Sequence, residues 1–154
     1  METVYLETSF VSYLVAEPSR DEVTDQRQDA SRRWWELRRT DFRCVVSSAV
    51  WNEIVQGDAE EIAKRQLAIA PYPILLSTPV SQELAEVFLA KGLLPRKAQT
   101  DASHIAIAAV YSVDYILSWN FRHLVNESIQ KRIGLLLETR GLRMPRVCIP
   151  ESLM

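Results

Sequence analysis

The sequence predicts an α/β fold: a single domain, residues 1–154, built on a central, mainly parallel sheet of four to five short strands with helices on both faces. Two observations carry this. Short apolar runs, each the length of a buried strand, alternate with longer segments of helical period, a pattern that belongs to parallel sheets joined by crossover helices. No internal repeat, low-complexity tract or linker divides the chain, and 154 residues are enough to fill one hydrophobic core.

The elements follow in order. Residues 4–6 read as a buried strand, and "SFVSYLVA" continues as a helix capped by Thr8 or Ser9 until "EPSRDE" breaks it at Pro18. Residues 25–39 give a long helix with Ala30, Trp34 and Leu37 on its apolar face and Arg32, Arg33, Glu36 and Arg39 mostly off it. Residues 44–48 are a second strand. Ser47 or Ser48 then caps a helix carrying Val50, Ile54 and Val55, which ends at Gly57 and Asp58 before a helix over residues 59–69. Pro71 and Pro73 precede a third strand, residues 74–76. Ser77 or Thr78, with Pro79 behind it, opens a helix through Leu84, Val87 and Phe88 that closes at Gly92. A helix capped near Thr100 carries Ile105, Ala108 and Ala109 as its stripe. Residues 114–119 form the fourth strand, residues 125–138 a helix ending at Gly141, and residues 146–149 a last strand stopped by Pro150.

Hydrophobic residues at 47% and charged residues at 25% are those of a soluble globular domain. A net charge of -2 provides no global field for nucleic acid, so such binding needs local basic patches. Cys44 and Cys148 lie in separate strand-like stretches and read as buried thiols of a reducing compartment. No apolar run approaches the roughly 20 residues of a membrane span, and the start lacks the basic end of a signal peptide. A cytoplasmic protein with no membrane partner is expected. Four glycines allow neither a P-loop nor GxGxxG, no GxSxG elbow occurs, and the cysteines lack metal-ligand spacing.

Parallel sheets bind ligands beyond the carboxyl ends of their strands, so the polar residues that open each crossing are the ones to inspect. Glu7 follows the first strand, Glu53 lies on the helix after the second, Asp101 opens a later helix, and Asn120 follows the fourth strand. The three acids have plain local explanations: the helix dipole favours Glu7 and Asp101, and a solvated helix face suits Glu53. Their coincidence at one sheet edge points instead to a shared pocket. Converging carboxylates repel unless a cation neutralises them, and oxygen ligands without histidine or thiolate suit Mg²⁺ or Mn²⁺. A cation so held activates water for phosphodiester hydrolysis.

"VYLETSFVSYL", "SSAVWNEI", "TDASHIAIAAV" and "YILSWNFRHL" resemble, in order and spacing, the four blocks of a PIN domain, particularly the VapC-like ribonuclease toxins of toxin–antitoxin pairs. The resemblance runs from the first strand to about His123. It implies a metal-dependent endoribonuclease in which Glu7, Glu53 and Asp101 bind Mg²⁺ or Mn²⁺. Asn120 stands in place of a fourth acid, and Thr8, Ser9 and Ser118 orient the site. It also implies an RNA substrate, a cognate antitoxin and a homodimer. There are two departures: Glu7 stands where the family usually has Asp, and Asn120 drops a charge, so one firmly held metal is expected. A PIN-fold binding module with weak or lost turnover, and a housekeeping nuclease without an antitoxin, are the alternatives. His104 reads as a packed histidine or a substrate contact, and Arg122 as a phosphate contact or a solvated cation. Trp34 and Trp35 among Arg32, Arg33, Arg38 and Arg39 read as core packing or as an aromatic-basic patch.

Overall fold

The apolar runs pair as strands β1 (Thr3–Leu6), β2 (Arg43–Ser47), β3 (Ile74–Leu75), β4 (Tyr115–Leu117) and β5 (Arg146–Cys148), in a computed structural model that describes residues 1–154. All neighbours are parallel, in the order β3-β2-β1-β4-β5, with Val4 opposite Cys44 on one side and Tyr115 on the other. Helices α1 (Thr8–Val15), α2 (Glu22–Leu37), α3 (Ser48–Glu53), α4 (Ala59–Ile69), α5 (Pro79–Ala90), α6 (Gln99–Val110) and α7 (Glu127–Thr139) fill the crossings. The chain steps from β1 outward to β3, then returns past β1 to β4 and β5. Right-handed crossovers therefore put α1, α2 and α4 on one face and α5, α6 and α7 on the other. The winding reverses between β1 and β4, so the crevice at their carboxyl ends is the topological switch point. No helix is long and apolar enough to cross a membrane.

The core is continuous through the sheet. Val4, Tyr5, Leu6, Val46, Ile116 and Leu117 are all essentially inaccessible. Helix α6 is buried almost all round from His104 to Ala109, so it lacks the single apolar stripe expected of it: α5 and α3 pack against it, and Tyr5 of β1 reaches His104. Cys44 and Cys148 are buried free thiols, pushed up to about 11 by burial.

Four local expectations are corrected. The cap of α1 is neither Thr8 nor Ser9 but Glu7, whose carboxylate accepts the Ser9 N–H. Helix α2 buries Trp34 as expected, but with Gln28 and Ser31 in place of Ala30, which is half-buried, and Leu37, which is 60% exposed. Its polar inner residues are satisfied: Gln28 donates to Glu17 O at 2.9 Å, and Ser31 Oγ accepts from Trp119 Nε1 at 2.8 Å. Helix α3 stops at Glu53 rather than at Gly57, because Arg65 Nη1 takes the carbonyls of Ile54 (2.8 Å) and Gln56 (3.0 Å) and Gly57 turns with φ +103°. Helix α6 begins at Gln99 with Ala98 in the cap position and no side-chain cap, which leaves Thr100 inside the first turn. Trp34 is core; Trp35 is half-buried with the Arg39 guanidinium 4.5 Å from its ring centroid.

The fourth strand is shorter than expected at both ends, Tyr115–Leu117; before it, Asp114 accepts the Thr3 N–H at 2.8 Å, tying β4 to the start of β1. That backbone donor, helped by Arg143 and opposed by partial burial, holds Asp114 below its ordinary carboxyl value of 3.8. A depressed folded pKa contributes stability that is fully present above about pH 4 and lost as pH falls through the lower folded value. Asp114→Asn should therefore melt below wild type at neutral pH, and the two melting curves should converge as pH is lowered towards 2. A pH-independent gap in thermal scans would contradict this.

Candidate metal centre at the switch point

Glu7 is held at the switch point by its own backbone: its N–H donates to Leu117 O on β4 at 3.1 Å. Its carboxylate is 3% exposed, and burying an isolated charge is costly unless it is hydrogen-bonded. Three donors meet it. Ser9 N–H reaches Oε2 at 3.0 Å, while the Ser9 and Ser118 hydroxyls reach Oε1 at 2.5 and 2.6 Å. The two serines are fixed in turn, Ser9 Oγ by Trp119 N–H (2.8 Å) and Ser118 Oγ by Asn120 N–H (3.0 Å).

Glu53 ends α3, where the helix dipole disfavours a carboxylate. Its compensation is His104 Nε2, 3.0 Å from Oε1 and 3.8 Å from Glu7 Oε2. Burial alone would push Glu53 up, but the hydrogen bond and charge of His104 outweigh it and the net shift is downward. Thr8 Oγ1, buried and without a partner at hydrogen-bond geometry, is close enough to favour the ionised Glu53 as well. Burial would likewise lower His104, yet the Glu53 hydrogen bond and the charges of Glu7, Glu53 and Asp101 raise it overall. One ligand atom from each of Glu7, Glu53 and His104 lies within 4.8 Å of the others.

Asp101, in the first turn of α6, belongs to an adjoining cluster. Its Oδ1 accepts from Asn120 Nδ2 at 3.2 Å and its Oδ2 lies 2.8 Å from His123 Nδ1. The His123 backbone N–H donates to Asn120 Oδ1 at 3.0 Å, which fixes the amide with its nitrogen towards Asp101. Asn120 thus donates to the aspartate where a fourth acid would repel it. The Ser118–Asn120 contact links the two clusters.

The structure therefore brings Glu7 and Glu53 together, with Ser9 and Ser118 against Glu7 and Thr8 beside Glu53; Asp101 and Asn120 meet each other one step away. Arg122 is exposed and in no ion pair, and His104 is wholly buried, out of reach of any substrate. The expectation that no histidine stands near these oxygens is corrected, since the His104 imidazole lies between the two glutamates. Sequence reading missed Tyr5, whose hydroxyl lies 2.6 Å from both His104 Nδ1 and Ser47 Oγ, and His123 as a partner of Asp101. It also missed Arg27, whose guanidinium sits 5.0 Å from the Phe121 ring centroid and 5.6 Å from that of Trp119 without a carboxylate partner. A polar groove of about 540 Å³ opens beside Glu53, lined by Asn52, Gln56, Gln99, Thr100 and Ser103. Two carboxylates within 4.8 Å fit one small divalent cation, whose bonds to oxygen are about 2.1 Å.

No family model matches the sequence, and no curated protein matches it. Among solved structures, VapC20 of Mycobacterium tuberculosis, a sarcin-ricin loop cleaving toxin, superimposes with a TM-score of 0.58 at 15% identity, over 77% of this chain and 91% of that one. VapBC2 from Rickettsia felis, bound to a DNA fragment from its promoter, gives a TM-score of 0.59 at 13% identity, over 96% of this chain and 98% of that one. At such identities the likeness is one of fold, and the fold is the VapC-like PIN fold.

Proposed function

We propose that this chain is a divalent-metal-dependent endoribonuclease and the toxin of a toxin–antitoxin pair. The observation that carries the reading is the meeting of Glu7 and Glu53 at the switch point, with ligand atoms within 4.8 Å. Glu7 and Glu53 hold Mg²⁺ or Mn²⁺ and Asp101 completes the acidic site, held in place by Asn120 and His123. A cation there lowers the pKa of a water and offsets charge developing on the phosphate. Ser9 and Ser118 keep the Glu7 carboxylate aimed. Single-stranded RNA lies in the groove beside Glu53, where the amides of Asn52, Gln56 and Gln99 meet base edges. Arg27 and Arg122 supply the positive charge for phosphates that the net balance of the chain does not. The fold shared with VapC20, a toxin that cleaves the sarcin-ricin loop, and with VapBC2 supports both the activity and an antitoxin partner. A homodimer in the cytoplasm completes the reading.

The chemistry of the cut ends tests it. Attack by water on the phosphate with the 3′-oxygen as the leaving group leaves 5′-phosphate and 3′-hydroxyl ends, so fragments from a mixed RNA pool should ligate to adaptors without prior phosphorylation. Fragments carrying 2′,3′-cyclic phosphates would mean attack by the RNA's own 2′-hydroxyl and would contradict the reading.

A further inference from the structure

His104 stands within ligand distance of both glutamates, but the polar chain behind it decides where its hydrogen lies. Ser47 Oγ accepts the Val50 N–H at 3.3 Å as the cap of α3, and Tyr5 Oη, 2.6 Å away, is the one acceptor its own hydrogen has. The phenolic hydrogen then points to His104 Nδ1, also at 2.6 Å. A ring nitrogen that accepts leaves the ring hydrogen on the other, so Nε2–H faces Glu53 Oε1 at 3.0 Å. Running the chain the other way strands the Ser47 hydrogen, because Ser47, Tyr5 and His104 are all at 0% exposure and no water reaches them. The edge of the Tyr5 ring also packs against the imidazole, with centroids 5.6 Å apart, so the ring has no room to turn over freely.

We infer that His104 is a positioning residue for Glu53 and not a third metal ligand. Ser47 and Tyr5 set the tautomer of the neutral ring, and a charged ring carries hydrogen on both nitrogens. In either form Nε2 has no lone pair to offer, and its N–H anchors one oxygen of Glu53 so that the other is left for the cation. Glu53 needs the anchor: it ends a short helix, is one-third exposed, and has three free side-chain torsions without it. A hydrogen bond from behind the carboxylate is the usual way in which outer residues orient metal-binding side chains. The inference rests on Glu7 and Glu53 being the metal-binding acids.

The test is ring-¹⁵N spectroscopy of the wild-type protein, titrated with Mg²⁺, together with calorimetric Mn²⁺ affinities of His104→Gln and His104→Leu. The expected result is a His104 ring carrying hydrogen on Nε2 with and without saturating Mg²⁺. His104→Gln, whose amide N–H replaces Nε2–H, should keep Mn²⁺ affinity within a few-fold, while His104→Leu loses about 10–100-fold. A ring protonated on Nδ1 alone, loss of the Nε2 hydrogen as Mg²⁺ binds, or equal losses in the two variants would overturn the inference. If Mg²⁺ shifts neither Glu7 nor Glu53 carboxyl signals, the metal-centre reading is what fails, and the ring tautomer alone then judges the relay. The spectroscopy needs no variant, so a poorly folded His104→Leu leaves it decisive.

Discussion

Glu7→Gln should lower RNA cleavage on the order of 10³-fold while leaving the protein folded. The substitution keeps the volume of a side chain that is 3% exposed and removes one negative charge. If Glu7 holds the cation, losing that charge forfeits several kcal/mol of transition-state stabilisation, and about 4 kcal/mol corresponds to a factor of roughly 10³. The effect on stability is separate and smaller. The Ser9 and Ser118 hydroxyls can still donate to the amide oxygen, but the amide NH₂ then faces the Ser9 N–H that Oε2 now accepts at 3.0 Å. Losing the cap of α1 costs about 1 kcal/mol, or roughly 2–4 °C in Tm for a chain of this size. Cleavage rates and thermal scans on the same preparation separate the two. A variant that melts a few degrees lower and cleaves like wild type would show that Glu7 is only a cap.

Trp34→Ala should destabilise the protein by about 3–5 kcal/mol, a large share of the 5–15 kcal/mol that holds a typical domain together. Trp34 has no accessible surface and lies edge-on to Phe10, with centroids 5.6 Å apart, and stacked on Phe42 at 5.8 Å. Removing it empties the seam between α1, α2 and the segment leading into β2. Trp34→Phe should cost much less, because the indole N–H it deletes is buried without a hydrogen-bond partner. Urea titrations of the three proteins measure this directly. The aromatic-basic alternative makes the opposite forecast, a loss of RNA affinity at unchanged stability.

The sheet was legible because its strands are centred on short apolar runs and its crossings begin with polar residues, so Glu7, Glu53, Asp101 and Asn120 could be assigned to one edge before any contact was known. What joins them was not legible. Tyr5 sits in an unbroken apolar run, and nothing in that run distinguishes a core ring from one whose hydroxyl reaches His104. The orientation of Asn120 depends on the backbone N–H of His123, a tertiary detail with no spacing signature. Helix α2 misled for a related reason: its inner face is polar, and Gln28 and Ser31 are tolerated there only because Glu17 O and Trp119 Nε1 meet them. Thr8 and Ser9 are read ahead of Glu7 as the cap because both are better capping residues, but the fold turns the Ser9 hydroxyl to the Glu7 carboxylate and leaves the Thr8 hydroxyl without a partner.

The most direct measurement is cleavage of a labelled RNA by wild type and Asp101→Asn, each stripped with chelator and then given Mg²⁺ or Mn²⁺. Wild type should cleave only after metal is restored, and Asp101→Asn should stay at least about a hundredfold slower at equal metal, as expected when a charge of the site is lost. Cleavage by the stripped wild type, or equal rates for the two proteins with metal present, would contradict an acidic metal centre at the switch point.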